Sequence, residues 1–391
     1  MSRTRFEVGK IIRDHGEGFL LRFKVKGHVA KSFARMAICR TRWLGGHVEE
    51  CPECGERLVS YNSCRDRHCP KCQNADRAAW VEMRRDEVLP GVKYFHVVFT
   101  VPDCLHPLAM PNQGLFYSAM FRAAWATLRK FFGAQGMQGG TTAVLHTWGS
   151  NLHYHPHVHC IVPGGGVDKD GAWRHLKGCR GSRDFLFPVQ ALSEVFRAKF
   201  MEMLTRSLKA CGEAVPQDVR KRCFEKAWVV YSRPPAKGVE QVLEYIGRYA
   251  YRVAISNSRI LGYSSNGMVT YDYKDYRRGG RHGRMTMHAT DFLHLLSLHI
   301  LPPAFVRIRH YGLLSPSNRD KLRKAQEQLG GEPVPKVRRK KTLAEICEMK
   351  GWLVGICPVC MSRMRVVEYF DPERAPPLGS YLDDKATWPL P

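Results

Sequence analysis

Negative charge is scarce in this 391-residue chain: 36 Asp and Glu stand against 61 Lys and Arg, a formal net charge of +25. The deficit runs along the whole chain instead of sitting in one tail, which favours an extended polyanion as partner, since each Lys or Arg placed on a phosphate releases counterions. Long apolar runs are missing too, none reaching the roughly 18 to 20 residues of a spanning helix. Met1-Ser2-Arg3-Thr4-Arg5-Phe6-Glu7 has none of the marks of a secretory signal. A soluble, cytoplasmic, nucleoid-associated protein with no membrane role is therefore expected. No long amphipathic basic helix is available to lie in an anionic interface, so nucleic acid outranks lipid as the partner. There is also no Gly-rich phosphate loop of the helicase kind and no internal repeat beyond a Cys-x-x-Cys theme.

Cysteine, by contrast, is abundant. Fourteen are present, six of them between Cys39 and Cys72, and in a large chain without an export signal such crowding points to zinc ahead of disulfides. Cys51-Pro52-Glu53-Cys54 and Cys69-Pro70-Lys71-Cys72 are two knuckles separated by fourteen residues. Four thiolates so spaced are expected to close one tetrahedral structural zinc site. Cys39, His47, Cys64 and His68 are left over for a second ion, and Cys357-Pro358-Val359-Cys360 is a third knuckle with no evident partner pair. Arg65, Arg67 and Lys71 surround the knuckles and are candidate DNA contacts.

The expected organisation is a basic helical segment at 1–45, a zinc-binding domain at 46–78, and an α+β core at 79–312. That core carries a helical insertion at about 167–226. A basic linker and C-terminal segment occupy 313–391. Tyr94 to Val101 is rich in aromatic and β-branched residues and stops at Pro102, as a central strand does. Thr141 to Trp148 and His153 to Val162 flank Gly149-Ser150-Asn151 and predict a β-hairpin. Side chains of a strand alternate faces, so His153, His155, His157 and His159 would share one side. Aligned imidazoles suggest a metal site, although a wet sheet face gives the same pattern.

Pro234-Pro235 precedes a predicted helix over 238–253, with proline in the position that suits a helix start. Gln241, Tyr245 and Tyr249, four apart, fall on one stripe of it, with Arg252 on the same side. A divalent cation held by two imidazoles with open positions can polarise a phosphodiester, and a facing phenol can attack it to give a phosphotyrosine that conserves the bond energy.

At these residues the chain resembles the two-tyrosine HUH transposases of the insertion sequence 91 family. The resemblance rests on Tyr61-Asn62-Ser63-Cys64-Arg65-Asp66-Arg67-His68-Cys69-Pro70-Lys71-Cys72-Gln73, the strand Tyr94 to Thr100, His157-Val158-His159, Tyr245-Ile246-Gly247-Arg248-Tyr249, and Tyr271-Asp272-Tyr273-Lys274-Asp275-Tyr276. It implies an HUH endonuclease core, a central antiparallel sheet with flanking helices, behind an N-terminal zinc-binding domain. It implies a rolling-circle transposase that nicks and rejoins single-stranded DNA at transposon ends through Tyr245 and Tyr249. His157 and His159 would hold Mg²⁺ or Mn²⁺, with Gln241 or His155 as third ligand and His96 on the neighbouring strand as a further candidate. Lys274 and Arg252 are candidate contacts to the scissile phosphate. A plasmid relaxase or replication initiator with the same chemistry, or a non-catalytic zinc-containing DNA-binding protein, are the competing functions.

Overall fold

Five strands, all antiparallel, form the central sheet of the computed structural model, which describes residues 5–177, 185–233, 239–275, 279–336, 339 and 341–373. In spatial order they are Ile308–Gly312, Gly140–Trp148, Tyr154–Pro163, Tyr94–Thr100 and Val230–Arg233. Alternation along each strand gives the sheet two different faces. On one, Phe95, Val97, Phe99, Leu145, Val158 and Val162 are buried against the helices Gln113–Gly133 and Val189–Lys209. Phe99 meets Phe196 at 4.8 Å and Phe116 meets Phe200 at 5.2 Å between ring centroids, so the two helices form a single layer. The segment expected as an inserted lobe at 167–226 thus supplies half of the helical layer; its residues 178–184 lie outside the described residues.

The second face is polar in its middle. His96, Thr142, His146 and His159 are buried on it, and the helix Val239–Ala250, the tyrosine helix, covers it. Val242 of that helix packs in one apolar cluster with Tyr94 and Ile161. Residues 234–238, including the proline pair expected to start this helix, lie outside the described residues.

Around the tip of the central hairpin a second core has formed. The helices Val8–Arg22 and Gly27–Ala37 bring Ile11, Ile12, Phe19 and Phe33 against Val269, Tyr271 and Phe292. The last three come from the sheet Ile260–Tyr263, Met268–Asp275 and Arg281–His288 and from the helix Ala289–Ser297. The N-terminal helices therefore do not stand apart from the core that follows them. Leu152 at the hairpin tip has a left-handed backbone, φ +65°, which costs a leucine about 1–2 kcal/mol. Full burial of its side chain in this second core offsets that cost. Its carbonyl accepts a 2.8 Å hydrogen bond from His299 Nε2, while His299 Nδ1 is 3.2 Å from the Thr147 hydroxyl.

That histidine makes the fold acid-sensitive. Burial presses the His299 pKa down to about 4, whereas an unfolded histidine titrates near 6.5. Above pH 6.5 both states are neutral. As pH falls, the unfolded chain takes a proton that the folded chain refuses, so stability is lost between pH 6.5 and 4, by roughly 3 kcal/mol for this one group. Denaturant unfolding across that window should show the fall, and His299→Gln should reduce its slope by one proton. An unchanged slope in the variant would refute the assignment.

Candidate active site

Register decides which imidazoles meet. Trp148 pairs with Tyr154 at the tip of the hairpin, and a β-bulge then shifts the count so that His146 lies directly opposite His157 and Val144 opposite His159. Opposed residues point to the same side. One ligand nitrogen from each of His146, His157 and His159 lies within 4.8 Å of the others. Ring centroids are 4.4 Å apart for His146 and His159 and 4.7 Å for His157 and His159. The third member is thus His146. Of the expected candidates, His155 is exposed on the strand and is not in the group, and Gln241 is exposed on the tyrosine helix. His155 contributes its carbonyl, which accepts from His157 Nδ1 at 2.7 Å.

Each ring is oriented by a partner, as ligating histidines usually are. His96, one strand over, stacks on His159 with its Nε2 at 2.7 Å from His159 Nδ1. His159 Nε2 is buried and has no hydrogen-bond partner among the described residues. His146 stacks on Trp148 at 4.6 Å and donates from Nε2 to the Tyr249 carbonyl at 2.8 Å. Burial is the main cause that holds all these rings neutral, reinforced by their mutual repulsion. It presses His157 and His96 down to about 3, and His146 and His159 well below their usual range. Neutral imidazole is the form that binds a cation, and a buried nitrogen without a partner fits that use.

Tyr249 lies directly against this group, its ring centroid 4.3 Å from that of His159, 5.1 Å from His96 and 5.8 Å from His146. Tyr245 occupies the preceding turn of the same helix; its side chain lies outside the described residues. Both ends of the helix are held. Arg307, buried beside the C-terminus, donates to the carbonyls of Ala250 at 2.9 Å and Arg252 at 3.1 Å, a favourable place for a cation. Near the other end Glu240 pairs with Arg85 of the helix Gln73–Arg85. The two helices touch at Gly247, where any Cβ would come within 2.5 Å of Val81. Sequence reasoning missed Arg307, because a charged residue inside an aromatic and aliphatic run gives no sign of which carbonyls it meets.

The basic candidates divide. Arg67 turns inward and donates to the carbonyls of Leu301, Pro302 and Phe305, and Lys71 pairs with Glu7; these two knit the structure together. Arg65, Arg252 and Lys274 are exposed, and the Arg252 charge is near enough to depress His157 and His159. Tyr276 of the Tyr271–Tyr276 motif lies outside the described residues.

The cysteines sort differently from the expected Cys51, Cys54, Cys69 and Cys72 set. Cys69 and Cys72 converge with Cys39 and Cys64, and Cys51 and Cys54 converge with Cys357 and Cys360. The helix Gln73–Arg85 starts immediately after Cys72, so the first cluster anchors the very helix that packs on the tyrosine helix.

Two family models match the chain. "Transposase zinc-binding domain" covers residues 11–101 and "Putative transposase" covers residues 140–322. A protein of Sinorhizobium fredii (strain NBRC 101917 / NGR234), "Putative transposase y4qJ", is 40% identical over 404 residues, spanning 96% of this chain and 98% of that one. The transposase for insertion sequence element IS801 of Pseudomonas savastanoi pv. phaseolicola is 28% identical over 292 residues, 73% of this chain and 70% of that one. Among solved structures, the conjugative relaxase TrwC in complex with oriT DNA, metal-bound, aligns over 42% of this chain and 74% of that chain with 13% identity and a TM-score of 0.22. With a zinc-binding domain placed ahead of a transposase domain and near-complete alignment to a 40% identical relative, the chain belongs to the insertion sequence 91 family of transposases.

Proposed function

We propose that this transposase cuts and rejoins single-stranded DNA at transposon ends, with Tyr249 as the nucleophile that acts beside a cation held by His146, His157 and His159. The observation that carries the proposal is the Tyr249 ring packed on His159, next to a buried nitrogen that has no hydrogen-bond partner among the described residues. Three neutral imidazoles fit a divalent ion with open positions, and an all-nitrogen set suits Mn²⁺ better than Mg²⁺. Such an ion would neutralise the non-bridging oxygens of the scissile phosphate.

The chain's own groups do the rest. Tyr249 Oη forms a bond to phosphorus as the bond to the 3′ oxygen breaks, and the phenolic proton is matched by the proton the 3′ oxygen acquires. The DNA 5′ phosphate stays on the protein as a diester, and a later hydroxyl reverses the step without further energy input. His96 keeps His159 in the right tautomer: with Nε2 of His159 turned to the cation, its Nδ1–H donates to His96 Nε2. Arg252, exposed beside the trio, suits the incoming phosphate. Tyr245, a turn earlier, is the second phenol for transfer to a target.

The assay is incubation with a labelled single-stranded oligonucleotide from a transposon end and Mn²⁺ or Mg²⁺, followed by denaturing electrophoresis. A covalent adduct is expected, lost on chelation and in the Tyr245→Phe, Tyr249→Phe double variant. Strand cleavage that proceeds without any adduct would refute tyrosine chemistry.

A further inference from the structure

We infer that Cys51, Cys54, Cys357 and Cys360 form a second zinc site, a clasp that fastens the C-terminal arm, residues 341–373, onto the N-terminal hairpin. Neither family model reaches these last two cysteines, since the matches end at residue 322. The four sulfurs lie within 4.8 Å of one another. Cys51 and Cys360 are 3.4 Å apart and Cys54 and Cys357 3.6 Å apart, between residues 309 and 303 positions distant in sequence. A tetrahedral ion with zinc–sulfur bonds of about 2.3 Å spaces its sulfurs by about 3.8 Å, whereas a disulfide requires about 2.05 Å.

The two knuckles are built alike, which random proximity would not produce. Each is Cys-Pro-x-Cys followed by a left-handed residue, Gly55 at φ +74° and Met361 at φ +63°. In each, that residue's N–H donates to the carbonyl of the first cysteine, at 2.9 Å for Gly55 to Cys51 and 3.0 Å for Met361 to Cys357. In each, the N–H of the first cysteine returns to a carbonyl five residues on, Glu56 or Ser362, both at 2.8 Å. The Val359 N–H also points at Cys357 Sγ, 3.4 Å away, a bond that favours the thiolate. Beyond the second knuckle the strand Arg365–Phe370 pairs with Gly46–Glu50, which in turn pairs with Arg57–Tyr61, so one three-stranded ribbon is assembled from both ends of the chain.

The clasp has a mechanical consequence at the tyrosine helix. On the arm, Lys350 pairs at 2.9 Å with Glu82, which pairs with Arg85 at 3.0 Å, and Arg85 holds Glu240 of the tyrosine helix. Lys350 and Trp352 close one side of a cavity of about 560 Å³ whose opposite wall is Gln241, Leu243 and Gly247. Zinc at the clasp thus holds a strap across the back of the helix that carries both phenols.

Metal analysis of the purified full chain tests this. Two zinc ions per chain are expected, and one in Cys357→Ser, Cys360→Ser, with thiolate-to-metal absorption of the cobalt-substituted protein falling by about half. Limited proteolysis should release the arm from that variant and leave it attached in the parent. Cys360 is exposed and Cys357 buried, and neither belongs to an apolar core, so the variant is expected to keep the rest of its fold, which circular dichroism checks. One zinc in the parent, two in the variant, or a Cys51–Cys360 disulfide in mass spectra of alkylated protein would each overturn the clasp.

Discussion

Tyr249→Phe should lower formation of the covalent DNA adduct by at least about 10³-fold, equivalent to about 4 kcal/mol of transition-state free energy, while leaving oligonucleotide affinity within a few-fold. Phenylalanine keeps the ring that packs 4.3 Å from His159 and 5.1 Å from His96, so the histidine group and the helix retain their places. Only the oxygen that bonds to phosphorus is lost, and no neighbouring water can replace it as a source of adduct. Tyr245→Phe should behave differently: the first adduct forms at near the parent rate, and transfer to a second strand is lost. Time courses with one labelled end and one unlabelled target separate the two steps. Should Tyr249→Phe form adduct at the parent rate while Tyr245→Phe forms none, the roles of the two phenols are exchanged and the histidine-side placement of Tyr249 does not identify the nucleophile.

Much of this site could be foreseen from residue order, and what could not has identifiable causes. The strand Tyr94–Thr100, the hairpin and the tyrosine helix follow from alternation, a Gly-Ser-Asn turn and four-residue spacing. His146 stayed hidden because a regular hairpin counted from Trp148 and Tyr154 would set it opposite Pro156, facing away from His157. The bulge adds one residue and turns His146 to the ligand side. A Cys-x-x-Cys pair states its own ligands but not its complement. The nearest second pair, Cys69 and Cys72, was the natural choice for Cys51 and Cys54. The actual complement sits about three hundred residues away in sequence, brought near by strand pairing. Basic residues posed the same difficulty. Arg67 and Arg65 look equivalent in the chain, yet one satisfies three backbone carbonyls and the other faces solvent.

Charge arrangement ties these pieces together. The surface carries the excess of Lys and Arg that a phosphate backbone needs, but the centre of the site is uncharged. Its imidazoles are held neutral by burial, Arg307 is bonded to helix carbonyls, and the exposed Arg252 stands close enough to depress His157 and His159. On the proposed function, a phosphate drawn in by long-range attraction would thus meet a neutral, partly dry pocket in which a cation held by the three imidazoles would concentrate the field on the bond to be broken.

The second large effect distinguishes the histidine trio from the ligand sets that sequence alone offered. His146→Asn should weaken Mn²⁺ binding by at least about 10²-fold and, at fixed sub-saturating Mn²⁺, lower adduct formation by a similar factor, about 2.7 kcal/mol. Asparagine places its amide near the Nδ1 position and falls short of the Tyr249 carbonyl, which His146 Nε2 now serves at 2.8 Å, so recovery of adduct at high Mn²⁺ is the check that the tyrosine helix remains seated and that the loss reports on ligation. His155→Ala and Gln241→Ala should stay within about threefold of the parent, because both side chains are exposed, His155 is not among the converging nitrogens, and Gln241 lines the cavity beside Lys350 and Trp352. Removing a ligand is partly overcome by mass action, so raising Mn²⁺ should recover activity in His146→Asn and leave Tyr249→Phe inactive. That contrast is measurable in one titration series. If His155→Ala or Gln241→Ala instead shows the larger loss and the stronger Mn²⁺ rescue, the cation lies elsewhere on the strand face and the bulge-set register does not define the metal centre.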